Sequence, residues 1–195
     1  MADPAEILEF WLDEVGPKGW FGGDAALDDT CRIRFAALLP VAQDGGLDHW
    51  ISGSTGALAF VILTDQLSRN IHRDTARAFA ADPLALVVAR RAVAEGWDMA
   101  APEPGRQFFY IPFEHSEQAE DQVLAVRYLT ERLPSDPETG LHARAHQQVI
   151  ARFGRFPTRN AALGRRSTPQ ELQYLAAGGY GAVVRALQAC HAQDA

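Results

Sequence analysis

Thr55-Gly56-Ala57-Leu58-Ala59-Phe60-Val61-Ile62-Leu63-Thr64-Asp65-Gln66 is apolar on nearly every side when wound as a helix. Leu58, Phe60, Val61, Ile62 and Leu63 leave no polar face, so this helix has to be enclosed by others at the centre of a core. Its unbroken apolar run, Ala57 to Leu63, is far shorter than the ~20 residues that span a bilayer. Outward from it, helix signals recur on both sides. Asp3-Pro4-Ala5-Glu6 reads as an N-cap, a proline at the first helical position and an early acid, and Ile7, Leu8, Trp11 and Val15 continue as a stripe up to Gly16-Pro17. A second helix is expected from Asp24 or Asp28 through Phe35 to Leu39. Asp82-Pro83 opens a further one that Gly96 ends, and Ser116 is expected to cap a helix with Glu117, Glu120 and Asp121 in its first turn. Asp136-Pro137 begins another, ended by Gly154, and Thr168-Pro169-Gln170-Glu171 is a capping box closed by Gly178-Gly179. No sustained period-two alternation argues for a sheet. The expected fold class is all-α, one domain over residues 1–195, with roughly seven to nine helices of about 10–18 residues packed as antiparallel hairpins.

Composition narrows the class. The chain has 195 residues, 47% hydrophobic and 22% charged, and a net charge of −7. That composition excludes a disordered chain, a collagen-like repeat and a disulfide-rich miniprotein. The acidic balance argues against wholesale binding to nucleic acid or anionic membrane. Met1-Ala2-Asp3-Pro4-Ala5-Glu6 does not read as a signal peptide, which makes a cytoplasmic address the expectation. Cys31 and Cys190 are far apart with no ligand spacing around them, so neither a zinc site nor a disulfide is expected, and no cofactor is implied. Charge is unevenly spread: residues 1–50 carry ten acids against three bases, and residues 141–195 carry seven arginines against two acids. Either the two ends neutralise each other, or a basic concavity recruits an anion.

Four places hold more polar side chains than a plain bundle needs. Asp65-Gln66-Leu67-Ser68-Arg69-Asn70-Ile71-His72-Arg73 follows the apolar helix, with Asp65, Arg69 and Arg73 at i, i+4 spacing. Pro112-Phe113-Glu114-His115-Ser116-Glu117 sits at an expected helix N-terminus, where His115 is placed to move a proton with Glu117 or Glu114 orienting it. His142 and His146 share a helix face with Val149, Ile150 and Phe153, consistent either with buried histidines or with an i, i+4 metal pair. Arg152-Phe153-Gly154-Arg155-Phe156-Pro157-Thr158-Arg159-Asn160, followed by Arg165 and Arg166, gathers five arginines with no acid among them. Arginine suits bidentate capture of carboxylate or phosphate, and equally suits internal pairing with Asp65, Glu114 or Glu117.

Taken in order, these segments resemble a bacterial family, the domain of unknown function 924. The marks are Ile7-Leu8-Glu9-Phe10-Trp11 with Gly19-Trp20-Phe21, Leu63-Thr64-Asp65-Gln66 with Arg69-Asn70-Ile71, Tyr110 through Glu117, and His146 with Arg152 through Pro157, Arg159-Asn160 and Leu163-Gly164-Arg165. The resemblance implies a tetratricopeptide-like helical array and a common polar set of Asp65, Gln66, Arg69, Asn70, His115, Ser116, Glu117, His146, Arg155, Arg159 and Asn160. This chain has Leu67-Ser68 where the family usually shows Phe-Pro, Thr158 where it often has His, and Glu114 where many members have Met. The resemblance implies no activity.

The functional expectation is a cleft lined by Arg69, His115, Glu117, His146, Arg155 and Arg159, with Trp20 and Phe21 covering one wall. Asp65, Gln66, Asn70, Arg73, Arg152 and Asn160 complete the candidate binding set. It would take a small anionic ligand or an acidic peptide end. If catalytic, His115 moves a proton, Glu117 orients it and Arg155 stabilises developing negative charge. Alternatives are a protein-interaction module, a metal-dependent enzyme using Asp65, His115 and His146, and an RNA-binding surface from Arg152 to Arg166.

Overall fold

Side-chain caps set where four of the helices begin. A computed structural model of the chain describes residues 3–193. Asp3 accepts the Ala5 N–H at 2.9 Å and starts α1 (Pro4–Leu8), Asp24 accepts the Ala26 N–H and starts α3 (Ala25–Phe35), and α2 (Gly16–Gly19) lies between them. α4 (Leu38–Gln43), α5 (Ser54–Val61), α6 (Ser68–Ile71), α7 (Asp82–Ala94), α8 (Trp97–Ala100) and α9 (Ile111–Glu114) follow. Then come α10 (Ala119–Glu131), α11 (Pro137–Phe153), α12 (Pro169–Ala176) and α13 (Gly179–Gln193). Among the described residues there is no strand, so the fold is all-α, and no helix is long and apolar enough to cross a membrane.

Two departures from the sequence reading have clear causes. The first and third expected helices do not stay α-helical. Glu9–Val15 and Ile62–Leu67 are π-helical, with Gly16 N–H reaching back to Trp11 O and Ser68 N–H to Leu63 O. Side chains add donors to carbonyls in and beside these wider turns. Trp20 Nε1–H donates to Trp11 O at 2.6 Å, Thr64 Oγ1–H to Phe60 O at 2.7 Å, and Arg69 to Asp65 O at 2.6 Å. The second departure is at Ser116, which does not cap. Its hydroxyl donates to Asp121 at 2.7 Å and accepts the Gln118 N–H, so α10 begins only at Ala119 and Glu117 stays outside it. Other expected signals hold: Asp136 accepts the Glu138 N–H, Gly154 ends α11 in the left-handed region (φ 68°), and Thr168 and Glu171 form the capping box. Asp82, expected to cap α7, is instead its first residue, because its carboxylate is taken by Arg69 and Ala81 stands at the cap.

The chain divides into two compact units, residues 1–112 and 113–195. In the first, α5 is the hub, fully buried from Ala57 to Val61, with α1 and α7 packed on it. Aromatic rings fill the space around it: Phe10 lies 5.1 Å from Phe35, and Trp20 meets Phe108 edge-on at 4.9 Å. All four tryptophans, Trp11, Trp20, Trp50 and Trp97, belong to this unit, and so does the whole net charge of −7. In the second unit α10 and α11 form a hairpin through residues 132–136, and α13 packs on α11 through Leu141, Ala145 and Val184. Val149, Ile150, Phe156 and Tyr174 close its other end.

Candidate acid–base site

The second unit builds a cluster of ionisable side chains on the inward face of α11. That helix is amphipathic, and His142 and His146 share the stripe that buries Val149 and Ile150. Glu114, at the end of α9, lies against them, with Oε1 2.5 Å from His146 Nδ1. The same nitrogen is 3.0 Å from the carbonyl oxygen of His142. Tyr180, on the first turn of α13, places its hydroxyl 2.5 Å from His142 Nδ1, its ring 6.0 Å from that imidazole and 4.6 Å from His146. The His115 ring is 6.2 Å from His146, edge-on, and Phe156 covers another side of His146 at 5.4 Å. Glu114 is buried, which opposes its ionisation, but the His146, His115 and His142 rings outweigh burial and hold the carboxyl below the usual range. Burial first, and then the charge of Glu114, push the Tyr180 phenol upward.

The arginine-rich stretch is largely committed to the protein itself. Glu117, expected to orient His115, is instead held by Arg165 through two bonds of 2.8 and 3.0 Å and by the Phe156 N–H at 2.8 Å. Burial would raise its carboxyl, and Arg165 and that amide overcome the effect and lower it. Arg155, expected to face a ligand, is clamped on Glu171 at 2.6 and 2.8 Å and also donates to Arg166 O. Asn160 accepts from Arg165 at 3.0 Å and donates to Ser167. Arg152 and Arg159 lie over the Phe153 and Phe156 rings at 4.8 and 4.5 Å. The carboxylate beside the histidines is therefore Glu114, and the stiffening pairs are Glu117–Arg165 and Glu171–Arg155.

In the first unit the candidate residues form two ion networks. Arg69 bridges Asp65 at 3.2 Å and Asp82 at 3.0 Å, and Gln66 donates to the Asp65 carboxylate. Asp28 takes Arg73 at 2.5 and 2.7 Å and Asn70 at 2.9 Å, and Arg73 foremost holds its carboxyl low against burial. Trp20 is 5% exposed and its N–H is consumed by Trp11 O, so it is a core side chain and not a binding wall; Phe21, at 67%, is exposed. Arg69 thus belongs to the first unit, whereas His115, Glu117, His146, Arg155 and Arg159 belong to the second. Among the described residues no group of three or more His, Cys, Asp or Glu side chains is arranged to hold a metal ion.

A family model for a bacterial protein of unknown function, DUF924, matches residues 7–179. The chain belongs to this family. A solved structure of a protein of unknown function, ATU0120 from Agrobacterium tumefaciens, is similar to it at 41% identity. That likeness covers 88% of this chain and 96% of that one, with a TM-score of 0.82. No curated protein matches.

Within this DUF924 chain, sequence reasoning missed three members of the clusters. Tyr180 follows a glycine pair that reads only as a helix stop. Glu171 reads fully as a capping-box residue, a role it also fills by accepting the Thr168 N–H at 2.6 Å. Gln122, wholly buried, donates to Glu114 O at 2.7 Å and Ser116 O at 2.6 Å and so fixes the segment that carries His115. Its position between Asp121 and Val123 on α10, one turn from the helix start, gave the one available hint.

Proposed function

We propose that the second unit is a general acid–base site for a small ligand bearing an oxyanion, a free anion or the carboxylate of an acidic peptide end. His146 is the proton-moving group. The observation that carries this reading is the short contact of His146 Nδ1 with Glu114, with no described residue bonded to its Nε2. A carboxylate–imidazole pair fixes the ring and its tautomer and leaves the far nitrogen as a base. The backbone oxygen of His142 is a second acceptor for the same ring hydrogen, and Glu114 adds its charge to that anchor. His115 is the neighbouring group for a second proton, and the guanidinium of Arg159 over Phe156 keeps positive charge close to the ring pair. Arg165, through Glu117, fixes the Phe156 backbone beside them.

A pH-stat screen of carboxylate esters, phosphate esters, lactones and acidic peptides tests the proposal. The expected result is turnover that falls about 100-fold or more in a folded His146→Ala variant and less in Glu114→Gln. Turnover that survives His146→Ala unchanged overturns it.

A further inference from the structure

His142 and His146 lie one turn apart on α11, and each is pinned through Nδ1 by a partner of opposite character. His146 Nδ1 faces two acceptors, Glu114 Oε1 at 2.5 Å and the His142 carbonyl at 3.0 Å. A ring nitrogen between a carboxylate and a carbonyl must carry the hydrogen. His142 Nδ1 faces the Tyr180 hydroxyl at 2.5 Å, and that hydroxyl has no other hydrogen bond among the described residues. The Tyr180 proton has no other acceptor among the described residues, and assigning it to His142 Nδ1 leaves that nitrogen bare and the ring hydrogen on Nε2. Neither Nε2 is bonded to another described residue, and the Tyr180 ring lies against both imidazoles.

We infer that Glu114 and Tyr180 lock the two histidines in opposite tautomers, so that the site offers an acceptor at His146 Nε2 and a donor at His142 Nε2. The complement of that pair is an oxyanion that still carries a proton, with its O–H directed to His146 and an unprotonated oxygen to His142. A fully deprotonated anion satisfies only His142. Tyr180 acts here as a positioning residue, through His142. The ligand half of the inference rests on the oxyanion reading above; the tautomer half stands on the hydrogen bonds alone.

Long-range proton–nitrogen NMR of the histidines in the whole chain, at about pH 8 where ordinary imidazoles are neutral, reads the lock directly. The expected pattern is a bare Nε2 on His146 and a bare Nδ1 on His142. Tyr180→Phe, which keeps the ring, should release His142 into a mixture and leave His146 unchanged. A His142 hydrogen on Nδ1, two identical tautomers, or a Tyr180→Phe spectrum identical to wild type overturns the lock, and the wild-type spectrum decides even if the variant fails to fold. Calorimetry with inorganic phosphate and with sulfate reads the ligand. Phosphate keeps a proton near neutral pH and sulfate does not, so phosphate should bind about tenfold tighter or more, with the difference lost in His146→Ala. Equal binding overturns the ligand assignment. Opposite tautomers with neither anion bound remove the oxyanion reading and leave the lock.

Discussion

Arg155 and Glu171 show how one side chain can decide between two roles for a loop. The guanidinium meets the carboxylate through Nε and a terminal nitrogen, and Glu171 also accepts the Thr168 N–H. The Arg155 bond foremost, then that amide, lowers the Glu171 carboxyl from 4.5 to about 2. A carboxylate depressed on folding stabilises the protein above its unfolded value and loses that contribution as pH falls through its folded one. Arg155→Ala should therefore lower Tm at neutral pH, and the gap to wild type should close between pH 4.5 and about 2. Phosphate affinity, measured in parallel, should stay unchanged; lost affinity with an unchanged Tm would return Arg155 to the ligand. The arginines themselves were legible as an anomaly, because five of them without a local acid need an explanation. Of their partners, Glu117 was named among three candidate carboxylates without the arginine that takes it, and Glu171 was not named. Arg165 pairs with Glu117 across most of the second unit's length in sequence, and Arg155 with a residue already occupied in a capping box. Nothing in local pattern encodes which distant carboxylate folds back.

Among the elements, α5 is the most tightly specified. A Cβ placed on Gly56 would lie 2.1 Å from the Trp50 carbonyl oxygen and 2.9 Å from its carbon, both backbone atoms of the short helix Asp48–Ser52. Backbone cannot yield as a flexible side chain does, so Gly56→Ala should cost about 2–3 kcal/mol, read by urea denaturation. A loss below about 0.5 kcal/mol would mean that the two helices separate readily. The burial of this helix was readable from Leu58 to Leu63, and the caps at Asp3, Asp136 and Thr168 were readable from residue type alone. The π-helical turns were not. Widening a turn changes which amide meets which carbonyl and leaves the residue pattern of Glu9–Val15 and Ile62–Leu67 unaltered, and the side chains that donate beside these turns include Trp20 and Arg69, which lie beyond them in sequence. Ser116 misled for a related reason: a hydroxyl with Asp121 within reach donates to it and leaves the helix start to Gln118.

At the scale of the molecule, acidic residues prevail in the first unit, where sixteen acids face nine bases, whereas the second balances nine with nine. The basic tail noticed in residues 141–195 is therefore matched within its own unit, chiefly by acids between Glu114 and Glu138. We propose that the chain melts as one cooperative domain, as its length leads one to expect. The placement of the indoles supplies a way to read it. Because Trp11, Trp20, Trp50 and Trp97 all precede residue 112, tryptophan emission follows the melting of residues 1–112, while far-ultraviolet dichroism sums every helix in the chain. One cooperative domain gives coincident curves, and a dichroism midpoint displaced from the emission midpoint would show two halves melting apart. Every indole of the chain thus belongs to one unit, which makes tryptophan emission a built-in reporter of residues 1–112 and leaves residues 113–195 to the tyrosines.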